Sequence, residues 1–141
     1  MGAHTRGHPR HGALLLRLHA FTGVDVDPIT GSARVEGGTP WRNVLAATAP
    51  HGLTALHGSA PDVSVAGYLL GGGLSFYSRS YGLAASSVLA IEVVTAAGDL
   101  LRTSPTAHPD LFWALLGGVA ASEWSPPWRS HYYRSPTWWR G

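Results

Sequence analysis

The chain has no cysteine and no lysine, and only 13% of its 141 residues are charged. Without cysteine, these residues form no disulfide, no thiolate nucleophile and no cysteine-ligated metal site. No apolar run is long enough to cross a bilayer. The run Leu14–Leu16 is broken by Arg17, which makes it too short for the apolar core of a secretory signal. We therefore expect a cytoplasmic protein.

Positive charge is also scarce in the middle of the chain. All cations are arginines, and the net charge of +2 comes from the two ends, residues 1–12 and 119–141, whereas residues 13–118 are mildly acidic. A nucleic-acid-binding surface needs clustered cations on the folded part, so this distribution argues against a nucleic-acid partner. The histidines of residues 1–12 lack a nearby carboxylate or fourth ligand, which predicts a disordered N-terminal remnant and no metal site.

What is present is the composition of a globular domain, with 45% hydrophobic residues, 18 Gly and 10 Pro. Residues 23–36 alternate apolar and polar side chains around the turn sequence 27–31, which predicts a β-hairpin. Asp25 and Asp27 lie on its polar face, so we interpret them as solvated charges and not as a catalytic pair. The apolar run Leu14–Leu18 predicts a further strand.

Three other elements follow from local signals. The first is a helix with Thr39 as N-cap, Pro40 at its first position and Trp41 towards the core; Pro50 and Gly52 end it. The second is a hairpin of strands at 88–95 and 100–103. The third is a short helix at 109–116 that ends at Gly117. Strands combined with short helices predict an α+β domain with a mixed sheet.

The segment Gly58–Ser75 has little side-chain volume. It is uncharged apart from Asp62 and contains three consecutive glycines, Gly71–Gly73. We do not expect it to fill a core, but its backbone N–H groups can closely approach an electron-rich ligand such as a phosphate or the edge of a flavin. It is not a Walker loop, because no lysine follows, and it is not the GxGxxG dinucleotide motif. A glycine-rich turn between packed elements is the alternative.

Four motifs in order make the chain resemble a known family. The segments Gly58–Gly73, Ser78–Leu83, Ile91–Gly98 and Pro109–Gly118 are similar to those of FAD-linked oxidases that have a p-cresol-methylhydroxylase-type FAD-binding domain, in particular the berberine-bridge-enzyme-like branch. The resemblance implies a partial α+β FAD-binding domain at residues 13–118, truncated at both ends. On this resemblance we expect most of the family's N-terminal phosphate loop to be missing, with Gly2–His4 as its last trace, and the substrate domain with the catalytic side chains to be missing as well.

The resemblance also implies a function. The family transfers hydride from an alcohol, sugar or secondary-metabolite substrate to N5 of FAD, so we expect an FAD-binding fragment of an FAD-dependent oxidoreductase, with FAD and a small molecule as partners. Ala60 stands where some relatives attach FAD through a cysteine, so we expect no cysteinyl link. The alternative is a non-catalytic remnant, or a small-ligand-binding module, that no longer holds FAD.

The motif match further implies a set of cofactor-binding residues. They are Ser59, Pro61, Asp62, Val63, Ser64, Val65, Ala66, Gly67, Gly71, Gly72, Gly73, Leu74, Tyr81 and Gly82, with Tyr81–Leu83 bracing the glycine-rich segment. For Arg79 and Tyr81, surface charge and packing are an equal alternative. We expect His51 and His57 to have no ligand-binding role.

Residues 119–141 differ from the rest of the chain. They contain four of the six tryptophans, together with Pro126, Pro127 and Pro136, and no usable periodicity. The related family continues after Gly118 with further glycines and a valine-rich strand. A one-base regrouping of codons for Val119–Arg129 can encode GGFGVVTAVE, which fits that pattern. We therefore predict an aberrant C-terminal tail produced by a reading-frame shift; a genuine Trp-rich binding tail is the alternative.

Overall fold

A computed structural model describes residues 16–95 and 97–117, together with the backbone of residues 137–140. The strands are β1 (Val24–Asp27), β2 (Ser32–Val35), β3 (Val88–Val94), β4 (Leu100–Thr103) and β5 (Thr137–Arg140). The helices are α1 (Trp41–Thr48), α2 (Val65–Leu70), α3 (Ser78–Tyr81) and α4 (Pro109–Leu115), with 3-10 turns at Ala49–His51 and Ala84–Ser87. The strands form one sheet in the order β1-β2-β5-β3-β4, and the strand pairs of the described ranges are antiparallel. The predicted α+β class with short helices is confirmed, but the mixed sheet predicted with it is not found among the described strands, because hairpins and their neighbours pair only antiparallel.

The first hairpin forms as predicted. Val24 lies opposite Val35, and Asp27 lies opposite Ser32. The Asp27 carboxylate accepts hydrogen bonds from the N–H of Ile29 at 3.0 Å and from the hydroxyl of Thr30 at 2.7 Å. Asp27 therefore stabilises the turn, a structural role that goes beyond the solvated charge expected from the sequence.

Helix α1 begins one residue later than predicted. Pro40 occupies the N-cap position with extended backbone angles, and no side chain caps the helix. The predicted cap, Thr39, is fully buried, and its hydroxyl donates to the carbonyl of Gly23 at 3.2 Å. The prediction was wrong because this long-range bond takes the hydroxyl away from the helix. Trp41 is buried as expected, and Gly52 ends the turn after the helix with φ +69°.

The strand predicted at Leu14–Leu18 is not present in its described part. Residues 16–18 belong to no strand, and Leu16 is 48% exposed. The Leu18 carbonyl instead accepts from the N–H of Phe21 at 2.8 Å, which closes a turn. An apolar run indicates burial, but it does not supply a neighbouring strand with which to pair.

The second hairpin and the last helix match their predictions. Strands β3 and β4 pair with Ile91 opposite Thr103, and the buried Thr103 hydroxyl donates to the Ile91 carbonyl at 3.0 Å. Helix α4 has Pro109 in its first turn and ends before Gly117, whose φ is +86°.

Strand β5 lies in the segment for which the sequence predicts no element. Its backbone pairs with β2, where Ala33 lies opposite Trp139, and with β3, where Val88 lies opposite Trp139. The rest of residues 119–141 and the predicted N-terminal remnant at 1–12 lie outside the described residues. The reading-frame shift stays a prediction.

The core forms where the sheet meets helices α1, α2 and α4. Its largest fully buried side chain is that of Trp41, and the surrounding apolar residues are Ala33, Val35, Val44, Ala55, Val65, Leu69, Ala84, Val88, Ile91, Val93, Phe112 and Leu115. Among the helices that the structure describes, none has the length and hydropathy of a membrane span.

Candidate functional site

The glycine-rich segment folds as two stretches of loop joined by a helix. We call Gly58–Ser64 the first arm and Gly71–Ser75 the second arm; α2 connects them. The expectation that this segment does not fill the core was wrong for α2, because Val65 and Leu69 are 3% and 2% exposed. Ser64 caps α2 by accepting from the N–H of Gly67 at 3.2 Å.

The first arm is held against the N-terminus of α1 by its carbonyl groups. The first N–H groups of a helix have no partner inside the helix. Here the N–H of Trp41 donates to the Val63 carbonyl and the N–H of Arg42 donates to the Pro61 carbonyl, both at 3.0 Å. The guanidinium of Arg42 also forms an ion pair with the Asp62 carboxylate. Two carbonyl groups of the arm, those of Pro61 and Val63, therefore face α1.

We call a backbone N–H group free when it donates to no acceptor in the described part of the chain, and several such groups lie in the first arm. Those of Ser59, Ala60 and Asp62 donate to no acceptor in the part of the chain that the structure describes. Ser64 makes only an isolated bridge with Pro40, so the arm is not a strand of the sheet. Donors held in a rigid loop and not used in sheet pairing are available to a ligand that carries oxygen acceptors.

The second arm also contains free N–H groups, but a different set of contacts holds its backbone. Gly72 and Gly73 have φ values of +89° and +69°, and their carbonyls accept from the N–H groups of Ala85 at 3.1 Å and Ala84 at 2.9 Å. The N–H groups of Gly73 and Leu74 have no acceptor within the described ranges.

Glycine is required in the second arm by packing as well as by backbone angle. A Cβ on Gly73 would lie 2.8 Å from the Cβ of Ala84 and 2.8 Å from Cε1 of Tyr68. A Cβ on Gly117, at the end of α4, would lie 3.0 Å from the Cα of Gly72. The glycines therefore let three parts of the fold approach one another, whether or not a ligand binds.

The predicted site residues differ in exposure. Ser59, Pro61, Asp62, Gly67, Gly71, Leu74, Tyr81 and Gly82 are exposed; Val63, Ser64 and Ala66 are half-buried; Val65, Gly72 and Gly73 are buried. Because the Val65 side chain is in the core, only its backbone is available, and its N–H already donates to the Thr39 carbonyl at 2.9 Å.

Tyr81–Leu83 were expected to brace the glycine-rich segment. In the structure the contacts with that segment come from Leu83 and from the two residues that follow it. Leu83 approaches Gly72, and Ala84 and Ala85 donate the two hydrogen bonds to the second arm. The Tyr81 ring is 71% exposed. Arg79 is also exposed.

An aromatic cluster that the sequence did not indicate contains Tyr68, whose ring lies close to Gly58 and Gly73 of the two arms. The rings of Trp41 and Tyr68 meet edge to face at 5.4 Å, and His57 lies 6.5 Å from Trp41 and 6.2 Å from Tyr77. Nδ1 of His57 is 2.7 Å from the Gly58 carbonyl oxygen. Burial raises the pKa of Tyr68. His51 is exposed on the 3-10 turn after α1.

No metal centre is found among the described residues, where no three histidine, aspartate or glutamate side chains come together. The N-terminal histidines lie outside those residues. The groups that the arms offer are backbone donors, and their one carboxylate, Asp62, is paired with a cation.

Comparison of the sequence with known proteins gives concordant matches. A family described as an FAD binding domain matches residues 2–104. The chain is 35% identical over 106 residues to (R)-6-hydroxynicotine oxidase of Paenarthrobacter nicotinovorans, covering 75% of this chain and 23% of the relative. It is 38% identical over 117 residues to xylooligosaccharide oxidase of Thermothelomyces thermophilus, covering 79% of this chain and 24% of the relative.

Solved structures give the same picture. The fold is similar to 6-hydroxy-D-nicotine oxidase from Arthrobacter nicotinovorans, with TM-score 0.73, 29% identity, and coverage of 89% of this chain and 25% of that one. It is also similar to glucooligosaccharide oxidase from Acremonium strictum, which has a 6-S-cysteinyl, 8α-N1-histidyl FAD, with TM-score 0.74, 28% identity, and coverage of 89% and 25%. The chain thus spans about a quarter of the length of the relatives it matches.

Proposed function

Because this chain belongs to the FAD binding domain family of the FAD-linked oxidases, we propose that it holds FAD along its first and second arms as the cofactor-binding part of an oxidoreductase. When bound, FAD supplies a hydride acceptor at its N5 atom, and the protein supplies position and electrostatics. The substrate we propose is a small molecule, an alcohol, a sugar or a secondary metabolite. The side chains that act on it belong to parts of the relatives that this chain does not match.

The observation that carries the proposal is the set of free N–H groups in the two arms. FAD presents a pyrophosphate and the carbonyl and nitrogen acceptors of the isoalloxazine ring, all of which need hydrogen-bond donors. Ser59, Ala60 and Asp62 provide such donors in the first arm, and Gly73 and Leu74 provide them in the second. Backbone donors fixed in advance bind an anion without a large cost for ordering the loop.

The charge of the first arm also fits an anionic cofactor. Asp62 alone would repel the pyrophosphate, but the adjacent guanidinium of Arg42 neutralises it. Arg42 is thus proposed to act through Asp62 and not by touching FAD.

We further propose that this chain forms no cysteinyl link to FAD. The 141 residues contain no cysteine, and Ala60 occupies the position at which the family resemblance places the tethering residue.

A second candidate, a remnant that no longer holds FAD, is favoured by one observation. Leu74 and Phe76, at the end of the second arm and just beyond it, are 75% and 76% exposed. Large apolar side chains exposed beside a binding loop indicate that something that normally covers them is missing.

Titration with FAD distinguishes the two candidates. If the proposal is right, the purified protein quenches flavin fluorescence saturably at one FAD per chain, and it binds FAD more tightly than riboflavin, which lacks the pyrophosphate. A remnant leaves both flavins unquenched, and that result would refute the proposal.

Two arginine variants provide the matched control. Arg42→Ala leaves Asp62 unpaired and is expected to weaken FAD binding several-fold, with partial recovery in Arg42→Ala/Asp62→Asn. Arg34→Ala removes the same charge from an ion pair on the sheet, 3.8 Å from Glu92, and is expected to leave the FAD affinity unchanged. Equal loss in both single variants would contradict a local role of Arg42.

A further inference from the structure

The ring of Tyr68 lies between the two arms. A Cβ placed on Gly58, at the start of the first arm, would be 3.0 Å from Cε2 of Tyr68. A Cβ placed on Gly73, in the second arm, would be 2.8 Å from Cε1. These two carbon atoms are on opposite edges of the ring, so the ring spans the gap between the backbones of the two arms.

The same ring is held from a third direction by α1. Trp41 is 1% exposed and packs edge to face on Tyr68, with ring centroids 5.4 Å apart. The N–H groups of Trp41 and Arg42 also hold the carbonyls of the first arm. One helix therefore fixes both the first arm and the ring against which the arms rest.

The hydroxyl of Tyr68 contributes little to this arrangement. It is buried, and it makes no hydrogen bond within the part of the chain that the structure describes. A buried hydroxyl without a partner costs free energy, so the ring and not the oxygen accounts for the packing.

We propose that Tyr68 is a positioning residue for the cofactor: its ring sets the separation of the two arms, and thereby the spacing of their free N–H groups. The inference rests on the proposed function, because it assigns these groups to FAD. Tyr68 acts through Gly58 and Gly73 and does not touch FAD itself. Because interiors are close-packed, a smaller side chain at this position lets the arms approach or separate.

Two substitutions at Tyr68 separate the ring from the hydroxyl. Tyr68→Phe keeps the ring and is expected to keep the FAD affinity, with stability unchanged or raised. Tyr68→Leu removes the outer part of the ring and is expected to weaken FAD binding by about tenfold or more, since the donors are no longer preorganised.

Leu69→Ala provides the control for stability. Leu69 is the next residue of α2, is 2% exposed, and faces the core. Leu69→Ala is expected to destabilise the fold at least as much as Tyr68→Leu while retaining the FAD affinity. If both variants lose FAD affinity in proportion to their loss of stability, Tyr68 has no positioning role.

A distance measurement without FAD makes the inference independent of the proposed function. Because the chain has no cysteine, spin labels can be attached at Ser59→Cys and Leu74→Cys, two exposed positions on the two arms. Dipolar spectra are expected to show one narrow distance in the parent, Tyr68→Phe and Leu69→Ala proteins, and a shifted or broadened distance in Tyr68→Leu. Identical spectra in all four proteins would overturn the inference even if FAD binds. If FAD does not bind, the proposed function fails, and the spectra still decide the role of the ring.

Discussion

Replacing Gly73 by alanine tests the close packing of the second arm, and Gly52 offers a matched control. Both glycines have φ +69°. An alanine in this left-handed region costs about 1–2 kcal/mol at either position. The Cβ at position 52 meets nothing within 4 Å, whereas the Cβ at position 73 would lie 2.8 Å from the Cβ of Ala84 and from Cε1 of Tyr68.

The difference between the two variants isolates the packing contribution. Overpacking of a filled interior costs typically about 1–3 kcal/mol. Gly73→Ala is therefore expected to lose about 2–5 kcal/mol in all, and Gly52→Ala about 1–2 kcal/mol. The lower entropy of the unfolded chain in an alanine variant affects both proteins alike, so it cancels in the comparison.

Urea unfolding followed by tryptophan fluorescence measures both free energies, because Trp41 is buried in the core. The variants need equal slopes of free energy against urea for the comparison to hold. If Gly73→Ala is no less stable than Gly52→Ala, the second arm does not approach Tyr68 and Ala84 closely, and the packing described for the site is wrong.

Two further predictions concern a helix cap and a turn. Ser64→Ala removes the hydroxyl that accepts from the N–H of Gly67, so it is expected to lower the free energy of unfolding in urea by about 1 kcal/mol. The control, Ser86→Ala on the exposed surface, is expected to show no measurable change. The hydroxyl of Thr30 and nearby backbone N–H groups lower the pKa of Asp27 in the folded state. The Asp27 carboxylate therefore contributes to stability above its pKa in the unfolded chain, and this contribution is lost as pH falls through its lower pKa in the folded state. Asp27→Asn is therefore expected to flatten the dependence of stability on pH on the acid side, and an unaltered pH profile would count against this role.

Local signals were sufficient where neighbouring residues decide the structure. The first hairpin was predicted from alternation and from the turn sequence 27–31. In the structure Asp27 accepts hydrogen bonds in that turn from residues two and three positions away. Helix α4 was predicted from Pro109 at its start and Gly117 after its end. In each case the groups that form the bonds are close in sequence, so composition and spacing carry the information.

Long-range contacts account for the failures. Thr39 was predicted to cap α1, but its hydroxyl bonds to Gly23, sixteen residues away. Helix α2 was not predicted, because its segment was interpreted as a glycine-rich loop; in the structure Ser64 caps it. Strand β5 was not predicted, since its place between β2 and β3 depends on partners far away along the chain.

The sequence alone determined the family and the segment in which to look for the cofactor, because glycines, their spacing and their neighbours are properties of the chain itself. Only the tertiary structure decided which backbone donors of that segment are free. Two carbonyls of the first arm accept from N–H groups at the N-terminus of α1, and two carbonyls of the second arm accept from Ala84 and Ala85. The ring of Tyr68 lies between the two arms. Each of these contacts joins residues brought together by folding, and no pattern within a single segment encodes them.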